Sequence, residues 1–527
     1  MRLLTRTATI LAIAVISLAI AACGDDDDGP GTDGFPPEIA DNEDQWPLAN
    51  HDYDSTRAAV NAEINSENVD DLGVGWTFEI PLANAPFGAA ASIPLIANDT
   101  VYFMDLESNF YAIDLETGEE VWSTEYNNTI VGPNGPAIGY GKVFGLSSPR
   151  SMVALDADTG EEIWARDLDH PTNIQPIVFD NKVFFGHVAG GDGSYEGGTS
   201  GYAVALDQET GEEVWSFQTV EEDFWGNPEV NSGAGIWFPP SIDPDSGLVY
   251  YGTGNPAPFP GIEGFPNGES RPGDNLYSNS LIALDIDSGD LEWYNQLLPH
   301  DIFDLDVHLS PVIIRDIESR GEERDLVIAT GKIARVFGID ADSHDIVWDA
   351  FVGTHINDKL HALPLGEEVE VAPGTLGGIE TPVAYADGVV YTPSLTLPTI
   401  HTATSFGATD GTEALRNAIT EDPQNGTGEI SAIDVSTGEV IWVSMLPGAV
   451  FGGATVVNDL VFTSTFDGTI YAMDRENGEI VFEHQAPGGI NGQPAVAGDT
   501  IIFPAGLGSS PQLVALRLGG EPGDTPT

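Results

Sequence analysis

A self-similar unit recurs along the 527-residue chain, and a repeat constrains a fold more than any local signal does. Seven copies are clear: "YAIDLETGEEVW" (111–122), "MVALDADTGEEIW" (152–164), "AVALDQETGEEVW" (203–215), "LIALDIDSGDLEW" (281–293), "FGIDADSHDIVW" (337–348), "SAIDVSTGEVIW" (431–442) and "IYAMDRENGEIVF" (470–482). Each reads as a strand, a turn built on Asp and Gly, and a strand closing on an aromatic. Two more short strands usually precede it, as in "PLIANDTVYFM" and "PIVFDNKVFFG". Four short antiparallel strands make one propeller blade. An eighth unit is split. "QPAVAGDTIIFPAG" and "LVALRLGG" near the C-terminus lack the closing strand, and "LGVGWTFEI" with Trp76 lacks the strands before it. Joining the halves leaves no open edge. The expectation is an all-β, eight-bladed propeller closed by N- and C-terminal strands. Its recurring aromatics, from Trp122 to Phe482, dock between neighbouring blades.

The ends of the chain follow different rules. Arg2 and Arg6 precede an apolar run from Ile10, and "IAAC" ends it at Cys23, the single cysteine. This resembles a bacterial lipoprotein signal, so residues 1–22 read as a signal peptide and Cys23 as the lipidation site. One cysteine allows neither a disulfide nor a thiolate metal site. Residues 23–45 are acidic and rich in Gly and Pro, and read as a disordered tether. The propeller is then expected over 46–520, with a short disordered tail at 521–527. No second long apolar run follows, so the body is expected on the extracytoplasmic face, held to the membrane by acyl chains alone. Seventeen Lys and Arg against 84 Asp and Glu give a formal charge of −67, which excludes nucleic acid as a partner.

Two stretches, 221–280 and 352–430, interrupt the period, and insertions on one face of a repeat protein are where sites are built. Between them lies "LLPHDIFDLDVHLSP" (297–311), with Asp301, Asp304 and Asp306 flanked by His300 and His308. Such crowding marks either a solvated strand end or carboxylates facing something positive. His355 and His361 stand six apart in a probable loop, read as bland or substrate-facing. There is no G-x-S-x-G elbow and no zinc-type His pair, which leaves a hydrolase with little support.

The "ALD-x-x-TGE-x-x-W" units resemble the tryptophan-docking repeats of the quinoprotein alcohol dehydrogenase superfamily, eight-bladed propellers holding pyrroloquinoline quinone (PQQ) and a metal on the ring axis. The likeness covers the body from about Trp46 to Gly520, and the lead-in "WPLANHDYDSTRAAVNAEINSENVDDLGVGW" is similar too. What the resemblance implies falls on three inserted motifs. In "YEGGTSGYAVALD", Glu196 matches the metal-binding glutamate. In "GLVYYGTGNPAPFP", Asn255 matches the metal-ligating asparagine. In "PHDIFDLD", Asp304 matches the aspartate that is both metal-adjacent and the catalytic base, and Asp306 matches the additional acidic ligand of lanthanide-dependent methanol dehydrogenases. Carboxylate and amide oxygens suit Ca²⁺ or a lanthanide ion. Trp237 matches the tryptophan beneath the quinone, and Lys332 the basic residue near the quinone oxygens.

Departures from the family accompany these matches. "NNTIVGPNGPAIG" carries no adjacent cysteines and has Asn134 where the family's PQQ-pairing arginine stands, so the resemblance implies Asn134 as a cofactor-binding residue; Ser200 replaces the arginine before Gly201. PQQ bears three carboxylates, so both changes remove charge-assisted contacts. No "CxxCH" is present, so electrons would leave through cytochrome c or another separate acceptor. Two functions are consistent with these residues. One is a lipid-anchored, PQQ- and metal-dependent dehydrogenase of alcohols or polyols, with a resemblance toward the polyvinyl alcohol dehydrogenase branch. The other is a non-catalytic propeller working as a binding or assembly scaffold, as in outer-membrane assembly lipoproteins. The enzyme is favoured, because a scaffold has no reason to crowd carboxylates near the axis against their desolvation cost.

Overall fold

Eight sheets with four antiparallel strands each follow one another along the chain, the seventh extended by the short parallel strand Ala58–Ala59 and the eighth shared between the chain's ends. The computed structural model describes residues 34–83, 87–189, 200–221, 224–404 and 425–521. Blades 1 to 7 occupy residues 95–124, 137–167, 177–218, 241–296, 312–351, 384–446 and 455–485. Blade 8 takes three strands from 495–518, and its outermost strand is Leu72–Glu79, paired antiparallel with Gln512–Leu518. The split unit therefore closes the ring as the sequence implies.

Each blade's two outer strands contain one register shift at the residue before the docking aromatic; in blade 1, Trp122 faces Ala112 while Glu120 faces Ile113. The same irregularity occurs in all eight blades. An extra residue bends a strand and re-aims its side chains, here turning the indole toward the next blade. Trp76, Trp122, Trp164, Trp215 and Trp442 each donate their indole N–H to a backbone carbonyl of the following blade, at 2.8–3.1 Å. The turn glycine of that blade lies against the ring. At Gly160 (φ +70°) an added Cβ would stand 2.5 Å from Trp122, so the position needs both the left-handed backbone and the missing side chain.

The lead-in segment closes the axial channel. Backbone carbonyls of Tyr53, Asp54, Thr56 and Arg57 accept from Ile242, Ile313, Tyr385 and Val456 on the innermost strands of blades 4 to 7. Trp46 pairs with Ile96 of blade 1, and the Tyr53 hydroxyl donates to Val178 of blade 3 at 2.5 Å. Arg57, fully buried, donates to the carbonyls of Ala49, Ala454 and Pro494 and to Thr455 and Asn50. Its guanidinium has no carboxylate partner among the described residues, and burial lowers its pKa to about 9.

One boundary differs from the sequence reading. Residues 34–45, assigned by composition to the tether, pack on the propeller. Phe35 meets Tyr53 and Phe179 edge-on, Pro37–Ala40 forms a short helix, and Glu38 accepts the Tyr140 backbone N–H at 2.9 Å. Two apolar side chains, Phe35 and Ile39, outweigh the acidic residues around them because blades 2 and 3 offer a surface to bury them. The signal peptide, Cys23 and the rest of the tether, Glu196, and tail residues 522–527 lie outside the described residues.

Candidate functional site

The connections that lead into the innermost strands meet above the plug and enclose an axial cavity of about 160 Å³. Every blade but the third contributes to its lining among the described residues. Phe87 and Ala91 precede blade 1, residues 131–133 blade 2, Trp237 and Phe238 blade 4, Phe451 blade 7, and Asn491 and Gln493 blade 8. Blade 5 supplies Asp304, Asp306, His308 and Lys332, and the approach to blade 6 supplies Glu380 and Thr381.

The three crowded aspartates have two different jobs. Asp301 is spent on the backbone: one carboxylate oxygen accepts the Phe303 N–H at 2.7 Å, and the other accepts the Leu305 N–H at 2.6 Å and the Asn279 amide at 3.1 Å. Its own carbonyl takes the buried Arg271 guanidinium at 2.7 Å, which ties the first insertion to this turn. Burial pushes the Asp301 carboxyl up, and the two backbone N–H groups oppose that push. The turn it caps holds Asp304 at φ +66°, a conformation that costs a non-glycine residue energy and is retained where the surroundings enforce it.

Asp304 and Asp306 face something positive. Lys332 Nζ lies 2.8 Å from Asp304 Oδ1 and 2.6 Å from Asp306 Oδ2, with all three side chains at most 9% exposed. Asp306 also accepts the backbone N–H of Asn255. Gly254 separates the two halves of the site: a Cβ there would stand 3.1 Å from both Asp306 Oδ1 and Trp237 Nε1. Asn255 lines the cavity, its side-chain N–H turned to the Pro256 carbonyl at 3.2 Å. Trp237 is half-buried on the same wall.

Glu380 and His308 complete the cluster, and the sequence reading did not assign them a role. Glu380 Oε2 stands 3.8 Å from His308 Nε2. Burial, opposed by Lys332 and reinforced by Asp306, raises the Glu380 pKa to about 8. Burial lowers His308 to about 4, so its imidazole is neutral. Burial likewise pushes Asp304 well up, against the pull of Lys332. The Lys332 ammonium resists burial because Asp304, Asp306 and Glu380 all favour its charge, and its pKa is raised. Three carboxylates thus confront one ammonium in a low-dielectric space, an imbalance that a proton or a cation must correct.

Asn134, expected as a cofactor-binding residue, is instead buried outside the cavity lining, because its amide is spent on the Asp105 carbonyl at 2.9 Å, where it backs the loop whose residues 131–133 do line the cavity. Ser200 accepts from the Gln218 amide at 2.9 Å.

The donor set fits a hard cation: carboxylate and amide oxygens of Asp304, Asp306 and Asn255 converge with excess negative charge. It also fits a flat ring, between Trp237 and the apolar wall of Val131, Pro133 and Phe451. For the ring's carboxylates the lining offers Lys332 as its single Lys or Arg, beside the acids Asp304, Asp306 and Glu380 and neutral polar groups. Glu380 Oε1, Thr381 Oγ1, Gln493 Oε1 and His308 Nδ1 are buried with no partner. Each such atom costs about 1–3 kcal/mol unless a guest supplies the bond.

The sequence matches two family models: residues 169–350 match the glucose/ethanol/alcohol dehydrogenase β-propeller domain, and residues 69–222 and 426–518 match outer membrane protein assembly factor BamB. It is 28% identical to a quinohemoprotein alcohol dehydrogenase of Comamonas testosteroni over 56% of this chain, and spans 44% of that protein's length. It is 29% identical to the quinoprotein alcohol dehydrogenase PedH of Pseudomonas putida, over 77% of this chain and 76% of that one. It is 25% identical to a lanthanide-dependent methanol dehydrogenase of Methylorubrum extorquens, over 79% and 78%. The solved Comamonas testosteroni structure superposes with a TM-score of 0.77 at 21% identity, over 93% of this chain and 83% of that one. BamB from Moraxella catarrhalis superposes with 0.53 at 12%, over 85% and 99%. Repeats, ring closure and relatives agree: the chain is an eight-bladed propeller similar to the quinoprotein alcohol dehydrogenases.

Proposed function

We propose that the protein is a PQQ- and metal-dependent dehydrogenase oxidising an alcohol or polyol, anchored through Cys23 to the extracytoplasmic face and passing electrons to cytochrome c or another separate acceptor. The observation that carries this reading is the pair of buried carboxylates, Asp304 and Asp306, on the Lys332 ammonium in the axial cavity that Glu380 and Trp237 also line. When bound, PQQ accepts the substrate's hydride and the metal polarises the quinone carbonyl.

The chain's own residues do the rest. Asp304 is the general base for the alcohol proton; burial raises its carboxyl, and the Lys332 ammonium opposes that rise. Asp304, Asp306 and Asn255, with Glu196, would hold the metal through their side-chain oxygens. Trp237 is the floor for the flat cofactor. The lead-in segment around Arg57 ties the innermost strands of blades 4 to 7 together and so holds the site's walls in place.

The scaffold reading keeps one point in its favour, the match of two segments to the assembly factor, together with neutral Asn134 and Ser200 in arginine positions. The deciding experiment is a tryptophan-fluorescence titration with PQQ, with Ca²⁺ or La³⁺ and with chelator, followed by a dye-linked alcohol assay. Metal-dependent quenching lost in Trp237→Ala, with turnover lost in Asp304→Asn, is the expected result. Absence of saturable PQQ binding with either ion would leave the scaffold as the function.

A further inference from the structure

Behind the turn that carries Asp304 lies a second cavity of about 360 Å³, and no residue lines both. Asp304 faces the axial cavity, whereas Asp301, Ile302, Phe303 and Leu305 face this cleft, so the turn is the wall between them. The floor is apolar: Ile302, Phe303, Leu305 and Ile333. The rim is basic, which is unusual in a chain with 17 Lys and Arg against 84 acids. Arg335, Lys359, His300 and His361 all reach it.

The acids nearby are already engaged. Both Asp301 oxygens take backbone N–H groups. Asp358 is bound to His355 Nδ1 at 2.7 Å. Arg335 Nη2 pairs with Asp349 at 2.6 Å, but its buried Nε has no partner. The Arg335 guanidinium and the Lys359 ammonium both lie over the Phe351 ring, at 4.7 and 4.6 Å, which fixes two cations beside the cleft. Lys359 and His361 are exposed, and neither pairs with a carboxylate among the described residues.

We propose that this cleft is a binding site for a small organic carboxylate, its apolar body on Ile302, Phe303, Leu305 and Ile333 and its charge between Arg335, Lys359 and His361. An inorganic anion would leave the apolar floor uncovered, and a neutral molecule would leave the rim cations unmatched. The inference stands apart from the dehydrogenase reading, since no residue of the axial cluster takes part.

The test is isothermal titration of the full folded chain with hexanoate, against hexanol and inorganic phosphate. Saturable hexanoate binding is expected, with hexanol and phosphate each at least about tenfold weaker. Lys359→Gln and His361→Asn change exposed side chains and should fold normally; each should weaken hexanoate about three- to tenfold. Lys332→Met, in the axial cavity, should leave it unchanged. No hexanoate binding up to about 10 mM, equal binding of hexanol or of phosphate, indifference to Lys359→Gln, or loss in Lys332→Met would each overturn the proposal.

Discussion

The outer girdle of docking tryptophans and the axial cavity are made from similar materials, aromatic rings and aspartates, used in opposite ways. In the girdle most polar atoms are answered within the protein, the indole N–H groups of Trp293 and Trp348 excepted. Five indoles donate to carbonyls, and turn aspartates such as Asp114 accept both the N–H and the hydroxyl of Thr117, bonds that hold the Asp114 carboxyl below its ordinary range. In the cavity four buried polar atoms go unanswered, two carboxylates share one ammonium, and an aspartate is held in the left-handed region. Internal satisfaction marks residues chosen for the fold; its absence marks residues chosen for something the chain does not itself supply.

The largest effect that tests this contrast is on turnover. Asp304→Asn keeps the shape and the contact with Lys332 but removes the base, so kcat of the PQQ- and metal-loaded protein should fall by about 10²–10⁴. The melting temperature should stay level or rise, because a buried carboxylate has gone. A fall in stability matching the fall in rate would mean that Asp304 serves the fold.

Trp122→Ala should do the reverse. The ring is 8% exposed, donates to the Ala157 carbonyl at 2.9 Å and lies against Gly160. Its removal should cost about 3–5 kcal/mol of stability, read by denaturant unfolding. PQQ binding per folded molecule should be unchanged.

Glu380 gives the contrast a pH signature. Its carboxyl is raised to about 8 in the folded chain, from an ordinary value near 4.5. A raised acid stabilises the fold fully below the unfolded value and loses that contribution as pH rises through the folded one. The metal-free protein in chelator should therefore lose stability between about pH 5 and 8, and Glu380→Gln should remove that part of the slope. A Glu380→Gln curve parallel to the parent's would show that the carboxyl titrates normally.

Sequence and structure part company along the same line. The girdle was legible because its signal repeats: Asp, Gly and Trp recur at fixed offsets, and even the split blade could be assembled from two incomplete copies. Asp304, Asp306 and Lys332 were legible as unusual chemistry and through family resemblance, and the structure brings them within 2.8 Å. Glu380 was not, since "GGIETP" repeats nowhere and the side chain gains meaning only beside Lys332, forty-eight residues away. The capping role of Asp301 did have a local signal, an aspartate two and four residues before amides it could accept, but the charge of its neighbours masked it. The plug left no signal at all, because its bonds run to innermost strands scattered over the whole ring.

The smallest effect concerns one of the two joints, at Trp293 and Trp348, where a docking indole N–H is buried without a partner. Blade 5 carries His344 where the other complete repeats have glycine, still at φ +63°, and Trp293 stacks on it at 4.4 Å and 13° instead of donating its N–H, which is buried without a partner. His344→Gly would relieve the backbone, worth about 1 kcal/mol, and forfeit the stacking, worth about 0.5–1.5 kcal/mol. The two nearly cancel, so unfolding should shift by less than about 1 kcal/mol in either direction. His344→Ala separates them, keeping the left-handed strain while losing the ring, and should be the less stable of the two variants. If the alanine variant equals the parent, the stack contributes nothing and the irregular joint is merely tolerated. If it falls below the parent, blade 5, which holds Lys332 and is led in by Asp304 and Asp306, is joined to blade 4 by a contact of its own.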